Sequence, residues 1–247
     1  MAILAICSCG MQQRLPNSYD GKEVKCLKCG KMVKVGGSGL AEHRLQVGSI
    51  TLVARCEPTQ VQQADQVLKR LVANHSGGVG LVDRVKIQFG WSELQLQKRG
   101  ADLWVCEADY SRNPWSDVRE DIIVAINVGW SQADLIRKVS AKPMSCTFTQ
   151  EIQTISNCFS VQELMMRRIK RPKGEDSGWF IGPTDPAALQ DAHEKGEYET
   201  ILSYQLLTLR FGMVQALLLP LEFKALFSGN TLVSVLDGDD REVLGTE

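Results

Sequence analysis

The chain has 247 residues, 44% of them hydrophobic and 23% charged, with a formal net charge of −1. That length holds one large domain or two to three small ones, and the composition is that of an ordinary globular protein. A net charge so near zero excludes a global field drawing the whole chain to nucleic acid or to a membrane.

The apolar start MAILAI runs for six residues without a basic flank, so it does not read as a secretory signal. The longest later apolar run, 216–221, is far too short to span a bilayer and contains Pro220. A cytoplasmic protein with no membrane partner is expected, and its eight cysteines should then be thiols or metal ligands rather than disulfides. Charge is uneven along the chain. Residues 1–38 hold six basic and two acidic side chains, 39–158 hold thirteen of each, and 159–247 hold nine basic and fourteen acidic. The asymmetry divides the chain into three modules with these boundaries.

The stretch CSCGMQQRLPNSYDGKEVKCLKCGK (7–31) sets Cys7-x-Cys9 sixteen residues before Cys26-x-x-Cys29. Two thiolates from one tight turn and two from another suit the tetrahedral preference of zinc. Gly10 and Gly30 follow the second cysteine of each pair, where positive φ lets the turn reverse. Residues 16–18 and 20–21 supply turn chemistry, and 22–26 and 31–35 alternate like short strands. Cys7, Cys9, Cys26 and Cys29 are therefore the expected ligands of a structural Zn2+. The spacing resembles that of a zinc ribbon over residues 4–36. A redox pair is the competing reading, but it leaves the second pair unexplained. A module this small buries too little apolar surface to fold alone, so the metal should hold it together. Lys22, Lys25, Lys28, Lys31 and Lys34 recur every three residues. They can face phosphate, or they can form a solvated surface that offsets the thiolate charge; with Tyr19 the only aromatic, base stacking lacks its parts.

Residues 36–39, Gly-Gly-Ser-Gly, read as a flexible linker. Residues 44–55 alternate as one strand. Pro58-Thr59 precedes Val61, Ala64, Val67, Leu68, Leu71 and Val72, one apolar stripe on a helix. The glycines at 77–78 follow that helix and precede a strand, the reverse of a phosphate-cradling loop, so they read as its end. Strands are expected at 84–89, 92–98 and 102–108, a loop at 109–115, a buried strand at 122–128, and a helix from Trp130 to Val139 capped by Ser131. Cys56, Cys106, Cys146 and Cys158 read as small core residues. His43, His75 and His193 lie in no context suggesting a triad, and the carboxylates Asp109, Asp117, Glu120 and Asp121 read as loop residues as readily as an acid–base set.

In the last module, Arg167, Arg168, Lys170, Arg171 and Lys173 read as a solvated strand edge. Asp176-Ser177-Gly178 reads as a turn and Trp179-Phe180-Ile181 as a strand entering a core. Asp185 and Pro186 start a helix that Gly196 ends. Residues 198–209 and 213–219 read as further helical turns, and 232–244 as a hairpin. Asp237, Asp239 and Asp240 fit its turn better than a calcium loop. The sequence EDSGWFIG (175–182), a short helix, Leu-Leu-Leu-Pro (217–220) and a closing hairpin resemble the bacterial immunity-protein family numbered thirty-three, over residues 158–245. The resemblance implies binding to, and silencing of, a cognate toxin, and makes Asp176, Ser177, Gly178 and Trp179 candidate binding residues.

The fold class expected is α+β: a small N-terminal zinc ribbon, 1–38, then two α+β modules, 39–158 and 159–247, with mainly antiparallel sheets. The function expected is non-catalytic binding of a protein partner such as a basic toxin, steered by the acidic last module. The alternative is a zinc-ribbon nucleic-acid-binding or regulatory protein using the ribbon's lysines.

Overall fold

Short alternating segments make two hairpins at the N-terminus: β1 (Ala2–Ile6) with β2 (Gln12–Pro16), and β3 (Glu23–Lys25) with β4 (Met32–Lys34). The structure, a computed structural model, describes residues 2–7, 9, 11–16, 22–35, 39–76 and 80–245. The expectations for Gly10, for most of the turn residues 16–21, for 36–38 in the linker and for Gly77 and Gly78 lie outside these. The chain divides into two compact units, one of 1–87, 94–109 and 114–126 and the other of 88–93, 110–113 and 127–247. The fold class is α+β with mainly antiparallel sheets.

In the first unit, residues 44–55 are not one strand. They belong to a hairpin, β5 (Ala41–Val47) and β6 (Ile50–Cys56), turned at Gly48 with φ +59°. A residue with no Cβ takes that left-handed conformation without strain, so the alternation breaks there. A 3-10 turn at Pro58–Gln60 leads into α1 (Val61–Ser76). Its Ala64, Val67, Leu68 and Leu71 are fully buried, and the helix packs on β5 and β6. The strands β7 (Lys86–Phe89), β8 (Ser92–Arg99) and β9 (Asp102–Ala108) fall where the sequence places them, and β10 (Val118–Arg119) joins β9. The sheet order is β5-β6-β9-β8-β7, with β10 beside β9.

The apolar run 122–128 is helical, not a strand. It opens α2 (Ile123–Lys138), which continues through Trp130, and Ser131 sits mid-helix with its hydroxyl on the Val128 carbonyl. The cause is a long-range cap. Glu107, wholly buried on β9, accepts the backbone N–H groups of Val124 at 3.1 Å and Ala125 at 2.6 Å. Asp121 accepts that of Ile123 at 3.3 Å. Three of the four orphan donors at a helix start are thereby satisfied, which outweighs the strand preference of isoleucine and valine.

Burial, and then the neighbouring Asp121 carboxylate, push the Glu107 carboxyl up to about 8, against the pull of Arg119 and the two N–H donors. Raised above its unfolded value, Glu107 binds more protons in the folded state, so stability falls as pH rises from about 5 to about 8. The slope contributed is at most about 1.4 kcal/mol per pH unit. Urea midpoints at pH 5.5 and pH 8 should differ more in the native protein than in Glu107→Gln; equal differences would refute this assignment.

In the second unit seven strands run β14-β11-β13-β12-β15-β16-β17. They are β11 (Glu151–Ile155), β12 (Glu163–Arg168), β13 (Asp176–Pro183), β14 (Tyr198–Leu202), β15 (Lys224–Ser228), β16 (Thr231–Leu236) and β17 (Glu242–Gly245). All neighbours are antiparallel except β11 and β13. The helix α3 (Pro186–Lys195) starts at Asp185, whose side chain accepts from the Ala187 N–H, and stops at Gly196 with φ +67°, both as expected. A one-turn α4 (Leu206–Leu209) and a 3-10 segment (Phe211–Leu218) bury Leu206, Met213 and Leu217. The 232–244 hairpin is β16–β17, and Asp237 closes its turn by accepting the N–H groups of Asp239 and Arg241.

Three readings are corrected here. Residues 198–202 form β14, because β11 offers an open edge whose backbone groups need partners. The chain reverses at Lys173–Asp176, around Gly174 with φ +59°, and Asp176-Ser177-Gly178 already lies in β13. The basic run is no strand edge: β12 lies inside the sheet, between β13 and β15. Side chains alternate faces along a strand, so Leu164, Met166 and Arg168 share the buried face, and Arg168 is 0% exposed.

Candidate metal centre

Each cysteine pair sits in the turn of one hairpin. Ile6 opposes Gln12 at the end of β1–β2, so Cys7 and Cys9 occupy the turn; Lys25 opposes Met32, so Cys26 and Cys29 occupy the other. The turns are held by backbone bonds, Cys7 N–H to Met11 O at 2.9 Å and Cys26 N–H to Lys31 O at 2.8 Å. Gly30, with φ +73°, donates its N–H to Cys26 O at 2.9 Å. Ala5, Val33 and Val35, with Met11, Leu15 and Val24 against them, form the small core behind the sulfurs.

The four Sγ atoms lie within 4.8 Å of one another. Cys7 and Cys29 are 3.5 Å apart, Cys9 and Cys26 3.6 Å. A tetrahedron with metal–sulfur arms of about 2.3 Å has edges of about 3.8 Å, so the donor set fits a metal ion. Disulfide bonds need about 2.05 Å, and all four thiols are free. N–H groups of the turns point at the sulfurs. That of Cys29, then that of Lys28, draws the Cys26 thiol down to about 6, and that of Cys9 lowers Cys7. At Cys29 the N–H of Lys31 pulls down, but burial and the three other sulfurs together push the thiol up to about 11. Sulfurs that resist joint ionisation in this way are relieved by a shared cation. Lys25, Lys28 and Lys31 are exposed around the centre, as is Lys22.

The remaining candidates are placed as follows. Cys56, Cys106, Cys146 and Cys158 are buried, and burial pushes the last three thiols up to about 11, 12 and 11. His43 Nε2 lies 3.1 Å from Asp65 Oδ1, and His193 Nδ1 bonds the Tyr198 hydroxyl. The His75 side chain lies outside the described residues. Glu120 pairs with Arg55 at 3.2 Å and Arg99 at 2.9 Å, both stacked over Trp104, and Asp121 pairs with Arg119 at 3.0 Å. Asp117 accepts the Asp109 N–H through its backbone carbonyl.

Asp176, Ser177, Gly178 and Trp179 lie together at the start of β13, with their polar atoms engaged by the chain itself. Asp176 accepts the Gly178 N–H at 2.7 Å and pairs with Lys170 at 2.5 Å. The Ser177 hydroxyl donates to Glu151 O at 2.5 Å, and Trp179 Nε1 donates to Leu217 O at 3.2 Å. Gly178 has φ +77°, and a Cβ there would stand 1.9 Å from Lys170 O, so no other residue fits. Beside them is Arg168, expected from the sequence to lie on a solvated strand edge and found buried. Its guanidinium donates to four backbone carbonyls, those of Ser177 at 3.2 Å, Met144 at 3.0 Å, Leu219 at 2.8 Å and Ser145 at 2.9 Å, and lies 5.2 Å from the Trp179 ring centroid. The signal that finds it is parity: Arg168 falls in step with Leu164 and Met166.

Fold and site together define an α+β protein with an N-terminal four-cysteine centre able to hold a metal ion. Residues 131–237 match the model of the Imm33-like domain. The match starts well before residue 158 because 131–157 belong to the same sheet unit: they supply β11, two of the carbonyls on Arg168, and Gln132, whose amide donates to Val214 O at 3.0 Å. No curated protein and no solved structure matches the chain. No helix among the described residues is long and apolar enough to cross a membrane.

Proposed function

We propose that this chain is a non-catalytic binding protein of immunity type, whose Imm33-like segment binds a basic toxin and whose N-terminal ribbon is held by a structural zinc ion. The observation that carries the reading is the Imm33-like match over 131–237. The excess of five acidic side chains in 159–247 supports a basic partner through steering and rim complementarity. Zinc is supported by the donor set, four thiols at tetrahedral spacing with no place for a water ligand. A second reading, nucleic-acid binding, rests on the exposed Lys25, Lys28 and Lys31 around the centre.

The test is co-expression with each toxin-like protein found encoded beside the gene for this chain; a neighbourhood with no such protein counts against the reading. Restored growth together with a stoichiometric complex is the expected result. Continued growth arrest with no complex overturns the reading, and co-purified nucleic acid that leaves in high salt favours the second.

A further inference from the structure

β11 and β13 are the parallel pair of the seven-stranded sheet, and their carboxyl ends open on a cavity of about 640 Å³. Loops leaving adjacent parallel strands at that end diverge and leave a crevice, which is why α/β proteins bind ligands there. Here one loop follows Ile155, and the other follows Pro183 and enters α3. The floor is apolar, with Ile155, Cys158 and Ala192 all at least 95% buried. The wall carries four carboxylates, Glu163, Asp185, Asp191 and Glu197, and no lysine, arginine or histidine lines the cavity.

Two of the four carboxylates are engaged by their own helix: Asp185 caps α3, and Asp191 pairs with Lys195 at 2.6 Å. The side chains of Glu163 and Glu197 have no hydrogen bond or ion pair within 4 Å among the described residues, although Lys195, paired with Asp191, also feels the Glu197 charge. The four are not gathered for a metal ion either; among the described residues the N-terminal cysteines are the only such group. An apolar floor under a spread acidic wall matches a long cationic side chain, which lays its methylene stem on apolar surface and keeps its charge among carboxylates.

We infer that this cavity is a socket for a lysine or arginine side chain of a basic protein partner. The inference rests on the immunity reading for the partner's class, and adds where and how that partner docks. Glu163 and Glu197 hold the cation; Ile155, Cys158 and Ala192 hold the stem.

The test has two arms. In the first, the 15N-labelled full chain is titrated with a pentapeptide of one arginine between glycine pairs, and with its neutral citrulline counterpart. The arginine peptide should shift the amides of Ser156, Asn157, Thr184 and Ala188, and the citrulline peptide should not. The double variant Glu163→Gln/Glu197→Gln, altered only at exposed positions, should bind the arginine peptide about three- to tenfold more weakly. Equal shifts from both peptides, or unchanged affinity in the variant, would overturn the socket. In the second arm the same variant is titrated with the toxin-like partner that the co-expression test recovers. Weakening by a similar factor supports the socket as the toxin's contact; unchanged affinity overturns it and leaves the immunity reading standing. Arginine-selective binding with no toxin complex sinks the immunity reading and leaves the socket.

Discussion

Cys26→Ser is expected to release the metal and unfold residues 2–35, while the sheet of β5–β10 and the seven-stranded sheet stay folded. The ribbon's core is Ala5, Val33 and Val35 with a few half-buried neighbours, too little apolar surface to offset the chain entropy of two hairpins. Metal binding contributes roughly 10–16 kcal/mol of apparent free energy to modules of this kind. A serine hydroxyl does not ionise near neutral pH and cannot replace the thiolate, and three sulfurs hold the ion far less tightly than four. Elsewhere the core is independent of the metal: Leu52 and Leu96 in the first sheet, Ala64 and Leu68 on α1, and Leu164, Ile181 and Phe227 in the second sheet are fully buried. The measurement is twofold. Elemental analysis should give one zinc per native chain and almost none in the variant. Hydrogen exchange should show lost protection at Val24 and Val33 and retained protection at Val53 and Ile181. Native protein without bound metal would sink the metal centre, and loss of all protection as one unit would refute a locally stabilised ribbon. Chelation of the native protein should reproduce the variant.

Arg168→Ala is expected to destabilise the seven-stranded unit by about 4 kcal/mol or more, with native-like behaviour lost near 37 °C. Removing the side chain leaves a cavity and strands the carbonyls of Met144, Ser145, Ser177 and Leu219 without their donors. Each buried acceptor so orphaned costs about 1–3 kcal/mol, discounted where relaxation admits water. A margin of about 5–15 kcal/mol does not absorb such a loss comfortably. Burial draws the Arg168 guanidinium down to about 10, so it stays charged at neutral pH, and no carboxylate among the described residues pairs with it: the charge is dispersed over carbonyl dipoles and the Trp179 ring. Arg168→Lys should recover less than half of the loss, because one ammonium cannot meet four acceptors laid out for a planar fork. Urea denaturation followed by tryptophan fluorescence reads both variants. A loss below about 1 kcal/mol for the alanine variant would show that water serves these carbonyls as well as the guanidinium does.

The two predictions mark the two ways in which this chain is legible. The cysteine pairs could be read as ligands because metal chelation by hairpin turns is a local matter, settled by spacings of one and two residues. The same holds for the stripe of α1 and for the Asp185–Pro186 start and Gly196 end of α3. The errors fall where a distant group decides. Residues 122–128 carry a strand's composition and become a helix because the Glu107 carboxyl group, brought in by β9, receives its first N–H groups. The basic run looks like solvated edge because five cations in seven residues seem too costly to bury. Only the strand order, with β12 between β13 and β15, puts one of them inside.

By itself, then, the sequence determined the four-thiol centre, the α+β class, the positions of β7, β8 and β9 in the first sheet, and the resemblance of its last third to an immunity family. Tertiary structure alone decided that β11 and β13 run parallel, that the cavity at their carboxyl ends gathers Glu163 and Glu197 from distant segments, and that Arg168 faces carbonyls instead of water. The physical reason is range. Turn chemistry, capping and helical periodicity act within a few residues, whereas desolvation and the satisfaction of buried polar groups depend on which segments the completed sheet brings side by side.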